Sequence, residues 1–253
     1  MKSGLDAYKL KLIALLFMIL DHVHTHLWFY GSMPQWLSLV TRFVSPLFLY
    51  LMIEGFYHTR SRKKYLLRLS VAALIMLAGN VAINLYFHNV NPATGKYGYF
   101  RLTGPNNIFL TLALLFALVW CLENIRQRKN VIRSGIIAVF IAFLCLFAEG
   151  GFYMLPVAVI IWFFHGKKAL QCIGIGAYCI ILLVQTLLTF AGGSTLYSYL
   201  CFDNEWAMFL VIPFILLYNG ERGRNTAFSK YLFYVIYPVH IWIFVILNFV
   251  FNQ

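Results

Sequence analysis

Long apolar runs alternate along the chain with short polar breaks, most of them basic. Residues 13–29 read IALLFMILDHVHTHLWF, and runs of similar apolar density recur to the end. Stretches of about 18–25 apolar residues are long enough to cross a bilayer as helices. Nine spans are predicted, at 8–30, 37–58, 65–88, 107–123, 132–148, 151–165, 169–191, 206–219 and 227–250. The sixth and eighth are short, as expected of tilted or incompletely crossing segments. No internal repeat is evident, unlike the duplicated halves common in secondary transporters. A single integral-membrane domain over 1–253 is therefore expected.

Composition strengthens this picture and charge orients it. Hydrophobic residues make up 62% of the chain and charged residues 11%, against roughly half and a quarter in soluble domains. The first apolar run is too long for the core of a cleaved signal peptide, and no small-residue cleavage site follows it. The net charge of +12 lies in the breaks. Of the 20 Lys and Arg residues, all but Arg42, Lys96 and Arg101 sit at or near the start of span 1 or in alternate breaks: 2–3, 4–5, 6–7 and 8–9. The positive-inside rule then places the N-terminus in the cytoplasm and the C-terminus outside. It also accounts for the basic balance without nucleic acid. The expected fold class is all-α, a polytopic membrane helix bundle of about nine transmembrane helices. Loops 88–106 and 192–205 are external on this reading, with Tyr97, Tyr99, Asp203 and Glu205 as acceptor contacts. The five cysteines show no CxxC spacing and are expected to behave as small hydrophobes.

Ionisable residues inside spans are functional candidates, because a charge near the bilayer centre costs several kcal/mol, roughly 2.5–3.5 by the milder scales. Span 1 holds Lys11, Asp21, His22, His24 and His26; span 2 holds Arg42 and Glu54; span 9 holds His240. Lys11 and His22 are eleven residues apart, almost three whole turns, so they share a face about 16 Å apart along the axis. A histidine at mid-depth titrates near neutrality and suits proton transfer, with Asp21 keeping its surroundings polar. Two ion pairs between neighbouring antiparallel spans, Lys11–Glu54 and Arg42–Asp21, would hold those charges in the membrane, and a purely structural role for them is the competing reading. His24 and His26 approach the outer interface beside Trp28, Phe29 and Tyr30 of an aromatic belt. No third ligand stands at useful spacing for zinc, so no metal is expected. His240 follows Tyr237 and Pro238, where proline frees a carbonyl that the imidazole could bind. The basic run HTRSRKKYLLRL (58–69) anchors to anionic lipid by default. Lys64 lies one turn before Arg68 there, a pair able to hold a cytosolic phosphate.

Four segments carry a family resemblance: KLIALLFMILDH (11–22), RFVSPLFLYLMIEGFYHTRSRKKYLLRL (42–69), NIFLTLAL (107–114) and YNGERGRNTAFSKYLFYVIYPVHIWI (218–243). Together they resemble the TraX family of membrane proteins, whose founding member acetylates conjugative pilin. The AEGGFYMLPV segment (148–157) departs by carrying Glu149 where Asp is expected. The family looks like the wider group of transmembrane acyltransferases, including the acyltransferase-3 enzymes, where a basic residue and a histidine share the spacing of Lys11 and His22. By resemblance, acetyl-CoA enters from the cytosol and its acetyl group passes to an acceptor at the outer face.

On this basis the chain is expected to be an acetyl-CoA-dependent O- or N-acetyltransferase acting on an exported peptide or glycan. His22, Asp21, His240, Arg42 and Glu54 are its expected catalytic residues. Lys11, Lys64, Arg68 and Tyr237 are expected to bind acetyl-CoA. His22 would deprotonate the acceptor or carry the acetyl group itself, with Arg42 or Asn107 at the oxyanion. A proton-coupled small-molecule transporter and a non-catalytic envelope assembly factor are the alternatives. The expected setting is the bacterial cell membrane. Amine and hydroxyl acceptors both fit, as do monomer and oligomer.

Overall fold

The computed structural model describes residues 4–26, 33–224 and 226–251. Lys2, Trp28, Phe29 and Tyr30 lie outside the described residues, as does the side chain of Lys230. The chain forms two compact units, Met1–Leu51 with Pro156–Phe233, and Met52–Leu155 with Tyr234–Gln253. All named secondary structure among the described residues is helical, and β pairing is limited to an isolated bridge between Leu5 and Tyr218.

The first unit opens with α1 (Ala7–His26). Asp6 caps it, its carboxylate accepting the Lys9 N–H at 2.8 Å, which satisfies one of the orphan amides at a helix start. Next come the short α2 (Leu37–Thr41) and α3 (Val44–His58), which begins in this unit. Pro46 accounts for the break between them. It has no N–H to donate to the Arg42 carbonyl four residues back, so helical pairing resumes only with Leu47 N–H to Phe43 O at 3.0 Å. The later part of the unit holds α9 (Lys168–Thr189), α10 (Leu196–Phe202), a 3-10 helix (Glu205–Val211) and α11 (Ile212–Leu217). Buried Gln171, Cys172, Ile175, Cys179, Leu182 and Thr186 form one stripe of α9, the spacing of an amphipathic helix. That stripe packs on the 3-10 helix and α11, while α2 packs on α1, α10 and the 3-10 helix.

In the second unit α4 (Arg62–Tyr86) and α7 (Val131–Cys145) flank α6 (Ile108–Arg126), with α5 (Tyr99–Thr103) against α4. The face of α4 bearing Leu69, Ala72, Ala73, Met76, Asn80 and Asn84 is buried, while Leu67, Val71, Leu74 and Ile75 are exposed. An exposed aliphatic face this long suits lipid rather than water. Gly79 is required by close approach: a Cβ there would sit 2.1 Å from the Trp242 ring of α12 (Ala227–Phe251). Asn80 and Asn84 are spent on structure. Asn80 donates to Thr103 O at 2.8 Å and Asn106 O at 3.1 Å and accepts from Trp242 Nε1 at 3.0 Å, while Asn84 donates to Leu102 O at 3.2 Å. These bonds staple the α5 segment to α4.

Five helices are long and apolar enough to cross a membrane: Leu37–His58, with α2 and α3 taken together, α4, α6, α9 and Tyr231–Phe251. A sixth crossing is available if the pair Leu196–Phe202 and Glu205–Leu217, bent by 66°, forms one broken span. The fifth and sixth expected spans are apolar but short, at 15 residues for α7 and 13 for α8 (Gly151–Phe163), against about 20 for a full crossing. α1 has the length, at 20 residues, but carries Lys9, Lys11 and Asp21.

Candidate functional site

The residues expected to form a site divide between the units: Lys11, Asp21, His22 and Arg42 fall in the first, Glu54, Lys64, Arg68, Tyr237 and His240 in the second. Within the first unit, Lys11 and His22 stand on the uninterrupted α1, which fixes their separation at about 16 Å along the axis. His22 is buried at 7% exposure, and its ring lies 6.0 Å from that of His26, one turn on. Asp21 accepts a 2.5 Å hydrogen bond from the buried Thr41 hydroxyl at the end of α2.

Arg42 does not pair with Asp21. Its guanidinium donates to Asn204 Oδ1, and its Nε lies 3.5 Å from Glu205 Oε2. The break at Pro46 is the physical reason: Arg42 leaves the helix at a turn, beside a second break at 203–205. Asn204 is locked in turn, donating to Cys201 O at 3.0 Å, and Asp203 accepts from Thr186 at 2.7 Å. Asp203 and Glu205 are thus tied into the fold rather than held in a solvated loop. Tyr97 and Tyr99 are exposed.

In the second unit Lys64 and Arg68 are exposed on α4, where Arg68 reaches back over the Tyr65 ring, 5.5 Å from its centroid. The amide of Lys64 is capped by Ser61 Oγ. Glu54 is half-buried. Tyr237 is buried and bridges: its hydroxyl donates to Glu149 Oε2 at 3.1 Å and accepts from the Ile108 N–H at 3.3 Å. Thr111 donates to the Glu149 carbonyl at 2.7 Å. His240 Nδ1 lies 2.6 Å from the Ile236 carbonyl. That partner differs from the carbonyl freed by Pro238, which belongs to Tyr234 four residues back. Because a carbonyl only accepts, Nδ1 carries the proton and Nε2 is the accepting nitrogen of neutral His240. Asn107 serves as the cap of α6, accepting from Leu110 N–H at 3.2 Å and donating to Ala73 O at 3.0 Å, so its polar ends are committed away from an oxyanion.

One ionic cluster was missed in the sequence. Buried Glu123 accepts from Tyr57 at 3.0 Å and Gln127 at 2.7 Å, and pairs with Arg126 at 2.6 Å. Its signal was a glutamate with Arg and Gln three and four residues later, the spacing of helix-surface partners. All five cysteines are free, four of them buried. Among the described residues no three His, Cys, Asp or Glu side chains converge as a metal set.

Membrane-length apolar helices with histidine, arginine and carboxylate groups packed inside them define an all-α polytopic membrane protein. The chain belongs to the TraX family, whose model, described as TraX protein, matches residues 7–248. It is similar to the probable fimbrial assembly protein FimC, serogroup H1, of Dichelobacter nodosus, with 30% identity over 245 residues that cover 93% of each chain. No solved structure matches it.

Proposed function

We propose that the chain is a membrane-bound acetyltransferase, moving an acetyl group from cytosolic acetyl-CoA to an amine or hydroxyl of an exported peptide or glycan. The observation that carries this reading is the fixed placement of Lys11 and buried His22 on one continuous helix. The gap of about 16 Å is close to the reach of a pantetheine arm, so a phosphate held at the Lys11 end presents a thioester near His22. The transfer then needs one proton carrier. His22 takes the proton from the acceptor amine or hydroxyl as its nitrogen or oxygen bonds to the acetyl carbonyl carbon. The C–S bond breaks, and the departing thiolate takes that proton from His22. Thr41 fixes Asp21, the residue before this histidine, by a hydrogen bond, and so keeps a polar carboxylate at this level of α1. Direct transfer requires no acetyl-enzyme.

In this proposal the protein lies in the bacterial cell membrane with its N-terminus in the cytoplasm and its C-terminus outside, as the basic breaks favour. The name of the Dichelobacter relative supports a pilus-related role and an acceptor among exported pilus components. That name also favours a second reading, assembly without catalysis. The two separate on acetyl transfer from labelled acetyl-CoA to envelope proteins in membranes carrying wild-type protein or His22→Gln. The acetyltransferase reading expects label transfer that falls by at least about 100-fold in the variant. Equal labelling with both proteins would remove His22 from the chemistry, and no labelling with folded wild type would favour assembly.

A further inference from the structure

The loop Tyr218–Arg224, YNGERGR, lies in the first unit and is held at both ends. At its start Leu5 N–H donates to Leu217 O at 2.8 Å, Asn219 N–H to Leu5 O at 3.0 Å, and Ala7 N–H to Glu221 O at 2.9 Å. The Lys168 ammonium donates to Tyr218 O, beneath a buried Tyr218 ring. At its end Ser229 Oγ donates to Arg224 O at 3.0 Å. Gly220 and Gly223 take left-handed φ of 83° and 71°, where a side chain is strained. A Cβ on Gly223 would also sit 2.4 Å from Asp6 Cγ. A loop fixed this firmly is a scaffold rather than a tether.

Its charges are unbalanced. Among the described residues of the first unit Lys11 has no carboxylate within salt-bridge distance. Its ammonium rides 5.7 Å above the Phe233 ring, and its helix, α1, starts at Ala7, which bonds Glu221 beside Arg222. Asp6 is the acid against the loop, and its carboxylate is engaged by the Lys9 amide. Glu221 and Arg224 are exposed. The amides of Arg222, Gly223 and Arg224 make no hydrogen bond to another described residue. Successive unspent N–H groups in a glycine turn, on the loop that carries Arg222 and is bonded to the start of the Lys11 helix, are the makings of an anion cradle.

We propose that the Tyr218–Arg224 loop, with Lys11 and Arg222 as its cations, holds an organic phosphate, either the nucleotide end of the acyl donor or the headgroup of an anionic lipid. The first source rests on the acetyltransferase reading; the second does not. In the first case the loop anchors the end of the donor opposite its thioester, with Lys11 bridging the loop to α1.

The test uses full-length protein in nanodiscs of phosphatidylcholine alone, titrated with coenzyme A as wild type, Arg222→Gln and Arg222→Lys. A second arm measures phosphatidylglycerol retained by the same proteins from mixed lipid. A donor site predicts coenzyme A binding weakened by about 10- to 100-fold in Arg222→Gln and less in Arg222→Lys, the range expected for a charge-assisted contact. A headgroup site predicts phosphatidylglycerol retention lost in Arg222→Gln and kept in Arg222→Lys. If Arg222→Gln, melting as wild type does, leaves both unchanged, the proposal is overturned while donor binding itself stands. If wild type binds no coenzyme A, the acetyltransferase reading fails, and the lipid arm alone then decides this site.

Discussion

At the scale of single residues, several polar side chains in each unit are held by named partners. Thr41 holds Asp21, Asn204 and Glu205 hold Arg42, and Tyr237 joins Glu149 to the first turn of α6. Removing the Tyr237 hydroxyl takes a donor from a carboxylate and an acceptor from a backbone amide in a buried setting. Tyr237→Phe is therefore expected to lower stability by about 1–3 kcal/mol, read as a lower melting temperature in detergent. An unchanged melting temperature would mean that water replaces the hydroxyl there. Lys11 contrasts with these groups, being a helix cation set over an aromatic ring.

At the scale of elements, the apolar runs foretold where helices form, because a buried or lipid-facing helix shows the same uninterrupted hydrophobicity. The breaks were harder to read. Pro46 gave a visible reason for a turn before α3, yet the consequence, Arg42 meeting Asn204 and Glu205, joins residues more than 160 positions apart. A pairing argued from depth chose Asp21 on the neighbouring span instead. The 203–205 break falls in a stretch expected to be an external loop, where Leu196–Phe202 and Glu205–Leu217 meet at 66°. His240, expected as a catalytic residue, bonds a carbonyl, that of Ile236 rather than the one proline frees. Glu123 escaped notice because it and two of its partners, Arg126 and Gln127, lie at the end of an apolar run, while the third, Tyr57, comes from α3. The pairing of Leu5 with the 217–219 segment left no local signature at all, since backbone bonds impose little on side-chain identity. Glycine was the clue available for that loop. Gly223→Ala meets both a left-handed φ and the Asp6 carboxylate. A cost of about 1–3 kcal/mol is expected, seen as a reduced melting temperature; no change would show that the loop relaxes freely.

At the scale of the whole molecule, composition and helix length make the chain a polytopic membrane protein, and the match over residues 7–248 makes it a member of the TraX family. Family membership says nothing by itself about chemistry, since function lives in particular side chains rather than in folds. The chemical case rests on α1, a 20-residue helix that keeps a lysine, an aspartate and a buried histidine. Those groups weaken it as a purely apolar span, and a site able to hold acetyl-CoA along its length gives them a use. Calorimetric titration of acetyl-CoA into purified wild-type protein, alongside Lys11→Ala and Arg68→Ala, tests that use most directly. Saturable binding by wild type that weakens by about 10-fold or more in Lys11→Ala is the predicted result, with Arg68→Ala reporting whether the basic strip of α4 takes part. Well-folded wild-type protein that takes up no acetyl-CoA would contradict the account.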